Sequence, residues 1–90
     1  SSVPETAIQT RDNTVDVRGM RTDDALSMAI SFLDRSLNEG RRVAFVVHGH
    51  GTGALKDAIR KELKTSPYVA HFRAGESGEG GDGVTVVWLA

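Results

Sequence analysis

Apolar and polar positions along the 90-residue chain fall into stretches of two different periods. Thr14, Val15, Asp16, Val17 and Arg18 alternate β-branched with polar residues and run into Gly19, the pattern of a short strand ending in a turn. Leu26, Ala29, Ile30, Leu33 and Leu37 recur at spacings of three and four, which predicts a helix with one apolar stripe. Thr22 stands where a capping side chain belongs, Asp23 and Asp24 oppose the positive end of the helix dipole, and Gly40 supplies the stop. Residues 43–47 are continuously apolar over strand length, as a central strand covered on both faces requires. A second helical pattern places Leu55, Ala58, Ile59 and Leu63 inward and Lys56, Arg60, Lys61 and Lys64 outward, and Ser66-Pro67 closes it. Residues 69–74 read as a weaker third strand and residues 84–89 as a fourth, separated by a glycine-rich acidic loop over 75–83.

The order β-α-β-α-β-β predicts an α/β two-layer sandwich: a four-stranded mixed sheet with two helices on one face. The first two strands are expected to be parallel, joined by a right-handed helical crossover, and the last two to form a hairpin. With both helices on one face, the other is expected to be partly wet, which suits the alternating first strand and the polar Thr85 of the fourth. Residues 1–13 have one proline and no sustained periodicity and read as a linker or flexible arm, leaving 14–90 as a single domain.

Composition narrows the classes further. A chain this short buries roughly 60–65% of its unfolded surface, enough for one modest core. No apolar run exceeds five residues, so no membrane span and no membrane partner are expected. The absence of cysteine excludes a disulfide scaffold, a thiolate zinc site and a cysteine nucleophile, and fits a reducing compartment. The first ten residues lack the apolar core of a signal peptide, and the chain opens on Ser1, as expected of a processed product or a domain of something longer. Net charge is −1, but residues 41–73 carry seven basic and two acidic groups, which is either a basic face or a solvated helix.

Eight of the ten glycines lie in two loops, over 49–53 and 75–83. The first follows an apolar strand and opens a helix, so its glycines let a phosphate or a backbone approach the uncapped N–H groups of the first helical turn. A tight turn without a ligand is the plainer alternative. The spacing Gly49-x-Gly51-x-x-Ala54 formally matches a dinucleotide fingerprint, but the chain is too short for the second half of that fold, and Arg73 and Ala74 stand where an acidic residue is needed. A Walker loop fails on its offsets as well.

His48 and His50 are two apart in an extended segment, so both imidazoles are able to face one ligand, as proton-transfer groups or as metal ligands. If the first two strands are parallel neighbours, Asp16, Arg18 and Gly19 come beside them at the carboxyl edge of the sheet, where open α/β sheets bind ligands. Asp16 is then the candidate third metal ligand. Arg18, Lys56 and Arg60 are candidate phosphate contacts. Each has an ordinary alternative: Asp16 bracing the turn, His48 a satisfied core histidine, the three cations plain surface charges. Glu76, Glu79 and Asp82 either join Asp16 around a divalent cation or keep a glycine-rich loop solvated. Trp88 reads as packing, and Tyr68 and His71 carry no signal.

These residues resemble the Smr (small MutS-related) domain family, most closely the C-terminal domain of the second, recombination-related type of MutS protein. Three segments carry the resemblance in order: Val15-Asp16-Val17-Arg18-Gly19, His48-Gly49-His50-Gly51-Thr52-Gly53, and Gly80-Gly81-Asp82-Gly83-Val84-Thr85. The resemblance implies a fold similar to the C-terminal domain of a bacterial translation initiation factor. It implies binding of DNA or RNA and endonucleolytic, often nicking, cleavage. On that reading Asp16 and His48 are catalytic, and Arg18, Gly49, His50, Gly51, Thr52, Gly53, Lys56 and Arg60 hold the nucleic-acid phosphate. Mg2+ or another divalent cation is an optional cofactor, with Asp16 its one weak protein ligand. The implied partners are DNA or RNA, the rest of a larger MutS-like ATPase chain and, in a non-catalytic variant of the reading, the ribosome. The implied setting is intracellular, in the cytoplasm and nucleoid or a plant organelle. Two positions depart from the family pattern. His50 stands where lysine or arginine is frequent, removing a fixed charge, and Arg18 where many members have histidine, removing a proton-transfer group.

Overall fold

A computed structural model describes residues 6–90, with the elements β1 (Thr14–Asp16), α1 (Thr22–Asn38), β2 (Val43–Val47), α2 (Ala54–Thr65), β3 (Val69–Ala74) and β4 (Val84–Leu89). It is the α/β two-layer sandwich with a four-stranded mixed sheet that the element order implies. The strands lie in the order β1-β2-β4-β3, so the last strand of the chain inserts between the second and third. β1 pairs parallel to β2 with Asp16 opposite Val47, whereas β4 runs antiparallel to both β2 and β3. A hairpin partner that is also the sheet's centre must be apolar on both sides, and all six residues of β4 are buried.

Both helices pack on one face. Val15, Val17, Ala44, Val46, Val87 and Leu89 of the sheet side meet Ala25, Ala29, Phe32 and Leu33 of α1 and Ile59 and Leu63 of α2 in one cluster. The opposite face buries a second cluster of Phe45, Val84, Val86 and Trp88, with Ala7, Val43 and Val47 against it. Thr85 therefore does not face solvent as its polarity suggested. It points to the helix side and is 0% exposed, and the face expected to be wet is apolar and sealed at its centre.

Three local expectations shift. The α1 stripe is centred on Ala25, Ala29, Phe32, Leu33 and Ser36, with Leu26 and Leu37 only half-buried, because the packing partner across the interface is a small sheet that admits alanine and serine closely. Arg21, not Thr22, is the N-cap of α1 and its side chain makes no capping bond; the two aspartates of the first turn oppose the dipole, and Asp23 Oδ1 also accepts from the Asp24 N–H at 3.0 Å. Lys56 and Arg60 do not point outward: both are half-buried and reach the turn before β4.

The linker or arm expected over residues 1–13 divides in two. Residues 1–5 lie outside the described residues. Residues 8–13 are fastened: Thr10 N–H donates to Asn13 Oδ1 at 2.8 Å, Asn13 Nδ2 donates to the Ile8 carbonyl at 2.8 Å, and Phe45 N–H donates to the Asn13 carbonyl at 2.7 Å.

Because Phe45 is fully buried on the face away from the helices, Phe45→Ala is expected to cost about 3–5 kcal/mol in urea unfolding, as for a core phenylalanine. A cost under about 1 kcal/mol would show that this face is not a core at all.

Candidate functional site at the carboxyl edge of the sheet

The chain leaves β1 and β2 side by side at the carboxyl edge and turns into a helix after each, so two loops and one helix N-terminus share a rim. Between them lies a cleft of about 420 Å³ lined by residues 18–22 and 48–56. Gly49, Gly51 and Gly53 all have positive φ, and Gly53, at φ 88°, is the N-cap of α2. Backbone conformation thus accounts for the alternating glycines without a ligand. What the loop leaves open is a set of donors. His48 and Gly49 N–H both donate to the Gly83 carbonyl, Gly53 N–H to the His50 carbonyl, and Ala54 N–H to Thr52 Oγ1. Among the described residues, the N–H groups of Gly51, Thr52, Leu55 and Lys56 donate to no protein acceptor, the last two because they belong to the first turn of α2.

His48 is buried, at 4% exposure, with both ring nitrogens engaged: Nδ1 lies 3.0 Å from the Gly49 carbonyl oxygen and Nε2 2.8 Å from Thr85 Oγ1. A carbonyl can only accept, so Nδ1 carries the proton. Burial lowers the His48 pKa, so the ring is neutral, Nε2 accepts, and the Thr85 hydroxyl donates to it. The Thr85 oxygen in turn accepts from Arg60 Nε at 2.9 Å. One chain of hydrogen bonds therefore runs from α2 through β4 to the glycine loop. His50 differs: it is exposed, its imidazole makes no hydrogen bond among the described residues, and its ring sits where a Cβ on Gly83 would fall, 2.8 Å from Cε1.

Asp16 is not where parallel pairing placed it. Its register partner Val47 packs on the face away from the helices, whereas His48, one residue on, turns toward them. Alternation along the strands sends the two side chains to opposite faces, and Asp16 does not line the cleft. Arg18 does: its Nε and Nη2 bind Asp16 Oδ1 and Oδ2 at 3.0 and 2.7 Å, and its aliphatic stem lies 3.3 Å from where a Gly49 Cβ would be. The guanidinium holds the Asp16 pKa below its usual value.

Nor does the acidic loop gather around a cation. Glu79 is held by Arg73 at 2.7 Å and closes a capping box with Glu76, while Asp82 takes Lys56 at 2.6 Å and Arg60 at 3.0 Å and has its pKa pushed down to about 2 by those two bonds. Among the described residues no three histidine, aspartate or glutamate side chains form a metal-binding group, and both carboxylate oxygens of Asp16, the one ligand considered, are engaged by Arg18. The signal that sequence reasoning lacked was Thr85, the polar residue of an otherwise apolar strand, which turns out to orient His48.

Thr85→Val removes the oxygen shared by His48 and Arg60 and is expected to cost about 1–3 kcal/mol, read as a lowered urea midpoint. His48 is expected to make stability pH-dependent. Its folded pKa lies below the ordinary 6.5, so the unfolded chain binds the extra proton first. Stability is then flat above about pH 7 and falls over the interval below about pH 6.5, and His48→Gln flattens this slope. A rise in stability over that interval would contradict the neutral, braced imidazole.

Comparison with known proteins places this geometry. The model of the Smr domain matches residues 15–90. Among curated relatives, the Endonuclease MutS2 of Anaeromyxobacter sp. (strain Fw109-5) is 53% identical over 75 residues, covering 83% of this chain and 9% of that protein. The Endonuclease MutS2 of Caldanaerobacter subterraneus subsp. tengcongensis is 48% identical over 75 residues, covering 83% of this chain and 10% of its own length. The chain thus spans about a tenth of the length of the curated relatives it matches. Among solved structures, the Smr domain of Thermus thermophilus MutS2 superposes with a TM-score of 0.85 at 40% identity, covering 87% of this chain and 98% of that one. YdaL, a stand-alone small MutS-related protein from Escherichia coli, shares the fold at a TM-score of 0.84 and 16% identity, over 97% of this chain and 80% of that one. With the family model matching nearly its whole length, the chain belongs to the Smr domain family.

Proposed function

We propose that this domain binds the phosphate backbone of DNA or RNA in the cleft at the carboxyl edge of the sheet and serves there as the endonuclease module of a longer MutS2-like chain. The observation that carries the reading is the meeting, in one open cleft, of unsatisfied N–H groups from the loop and the first turn of α2 with the guanidinium of Arg18. Such donors favour an anion, and a phosphodiester is the anion that a strand offers repeatedly. The donors that line the cleft are backbone amides and cations suited to phosphate oxygens, so binding without sequence preference is expected.

Each residue has a distinct part. Arg18 and the free amides of Gly51, Thr52, Leu55 and Lys56 hold the phosphate oxygens and take up the charge that grows on them during cleavage. Asp16 acts through Arg18 as a positioning residue. His48, with both nitrogens committed, positions the loop by gripping the Gly49 carbonyl. His50 is the imidazole at the cleft left free to move a proton to or from a strand oxygen. This divides between two residues the work that the sequence motif alone would assign to His48.

A second reading, a docking module on nucleic acid or the ribosome without chemistry of its own, is favoured by the engagement of both His48 nitrogens and both Asp16 oxygens. A cleavage assay on supercoiled plasmid and structured RNA, run beside a binding titration, separates the two. Under the endonuclease reading, Arg18→Ala weakens binding and cleavage together, while His50→Ala keeps binding and lowers cleavage by about 10²–10⁴-fold, the range of a general acid or base. Binding that Arg18→Ala weakens, with no cleavage by any form, selects the docking reading. Affinity that ignores salt, or no affinity, removes both, because each phosphate contact should contribute a slope of about −0.7 to −0.9 in log K against log salt.

A further inference from the structure

Each cation lining the cleft already carries a carboxylate. Arg18 is paired with Asp16, Arg21 faces Asp23 at 3.9 Å, and Lys56 shares Asp82 with Arg60. The last pairing has a particular geometry. Residues 56 and 60 lie one helical turn apart on the same face of α2 and bind different oxygens of the one carboxylate: Lys56 Nζ takes Oδ2 at 2.6 Å and Arg60 Nη1 takes Oδ1 at 3.0 Å. Two cations, each presented to a separate oxygen of a single small anion, are what a phosphate group requires. Arg60 is also pre-set, since its Nε donates to the buried Thr85 hydroxyl and its Nη2 to the Val84 carbonyl at 3.4 Å, leaving Nη1 for the anion. Lys56 lines the cleft as well, so the two anion positions are contiguous.

Asp82 itself is held by nothing else. Its side chain is half exposed, and its only hydrogen bonds among the described residues go to Lys56 and Arg60. The backbone around it is fastened independently, through the Gly83 carbonyl that accepts from His48 and Gly49 N–H and the Gly83 N–H that donates to the Gly80 carbonyl. The carboxylate is therefore free to leave by side-chain rotation, without disturbing the loop.

We propose that Lys56 and Arg60 form a second phosphate subsite beside the cleft, and that Asp82 fills it in the free protein as an internal stand-in for phosphate, to be displaced by a neighbouring phosphate of a bound strand. This rests on the reading of the cleft as a phosphate site. Its consequence is selectivity for polyanions: a single free phosphate must compete with a tethered carboxylate, whereas a strand anchored in the cleft delivers its next phosphate at high local concentration. Asp82 then lowers affinity while the domain is unoccupied and keeps the α2 cations from collecting stray anions.

The test is a fluorescence-anisotropy titration of labelled DNA and RNA oligonucleotides, and separately of inorganic phosphate as competitor, against wild type, Arg18→Ala, Asp82→Asn and Asp82→Ser. Two Asp82 substitutions are used so that a folding failure of one leaves the other to decide. The expected result is several-fold tighter oligonucleotide binding by the Asp82 variants, with more sensitivity to inorganic phosphate and no steeper salt slope than wild type beyond about 0.7–0.9 per phosphate contact added. Adding Lys56→Ala and Arg60→Ala to the Asp82 variant is expected to abolish the gain. Unchanged or weaker binding by the Asp82 variants, where wild type binds and Arg18→Ala weakens it, overturns this proposal and leaves the phosphate cleft standing. Absence of binding by wild type and the Asp82 variants alike overturns both.

Discussion

The buried hydroxyl of Thr85 joins three elements that the chain visits far apart. It accepts from Arg60 on α2, donates to His48 at the end of β2, and is itself a residue of the central strand β4. Because Thr85 is 0% and His48 4% exposed, neither has water as a substitute, so the geometry of this pair is fixed by the bonds they make. His48 passes that constraint to the glycine loop by gripping the Gly49 carbonyl. The placement of the loop amides, and with it the shape of the cleft, follows from this one hydrogen-bond chain and from the Gly83 carbonyl that ties the same loop to the start of β4.

Electrostatics around the rim has a common theme. The chain's net charge is −1, and the cations at the cleft each have a carboxylate within bonding distance. The Arg18–Asp16 pair is exposed, and Lys56 and Arg60, themselves half-buried, reach a half-exposed carboxylate, so these pairs contribute little to stability. The depressed pKa values of Asp16 and Asp82 have that origin: their charged forms are favoured by specific neighbours rather than by the fold as a whole. Arg18 and Asp16 cancel, whereas Lys56 and Arg60 share the single carboxylate of Asp82 and together with it keep one positive charge beside the cleft.

Much of the architecture was legible in the hydrophobic pattern. The element order, the bounds of β2, β3 and β4 and the parallel pairing of β1 with β2 all follow from periodicity and turn residues, which act locally. The helix faces were less legible. Lys56 and Arg60 read as outward cations because charge normally means solvent, but long stems let both reach a carboxylate on another element. Thr85 likewise read as a wet position, although its hydroxyl was needed inside.

Local chemistry in the chain dictates the helices, the strands, the glycine turns and the family motifs, because propensity, capping and alternation operate over a few residues. The insertion of β4 between β2 and β3, the burial of both sheet faces, the separation of Asp16 from His48 and the partners of Lys56, Arg60 and His48 come from long-range packing. Alternation says that neighbouring side chains along a strand point opposite ways, but which face becomes the cleft depends on where the helices and the central strand come to rest. Those positions are set by burying apolar area between distant segments, a quantity no local window of sequence contains.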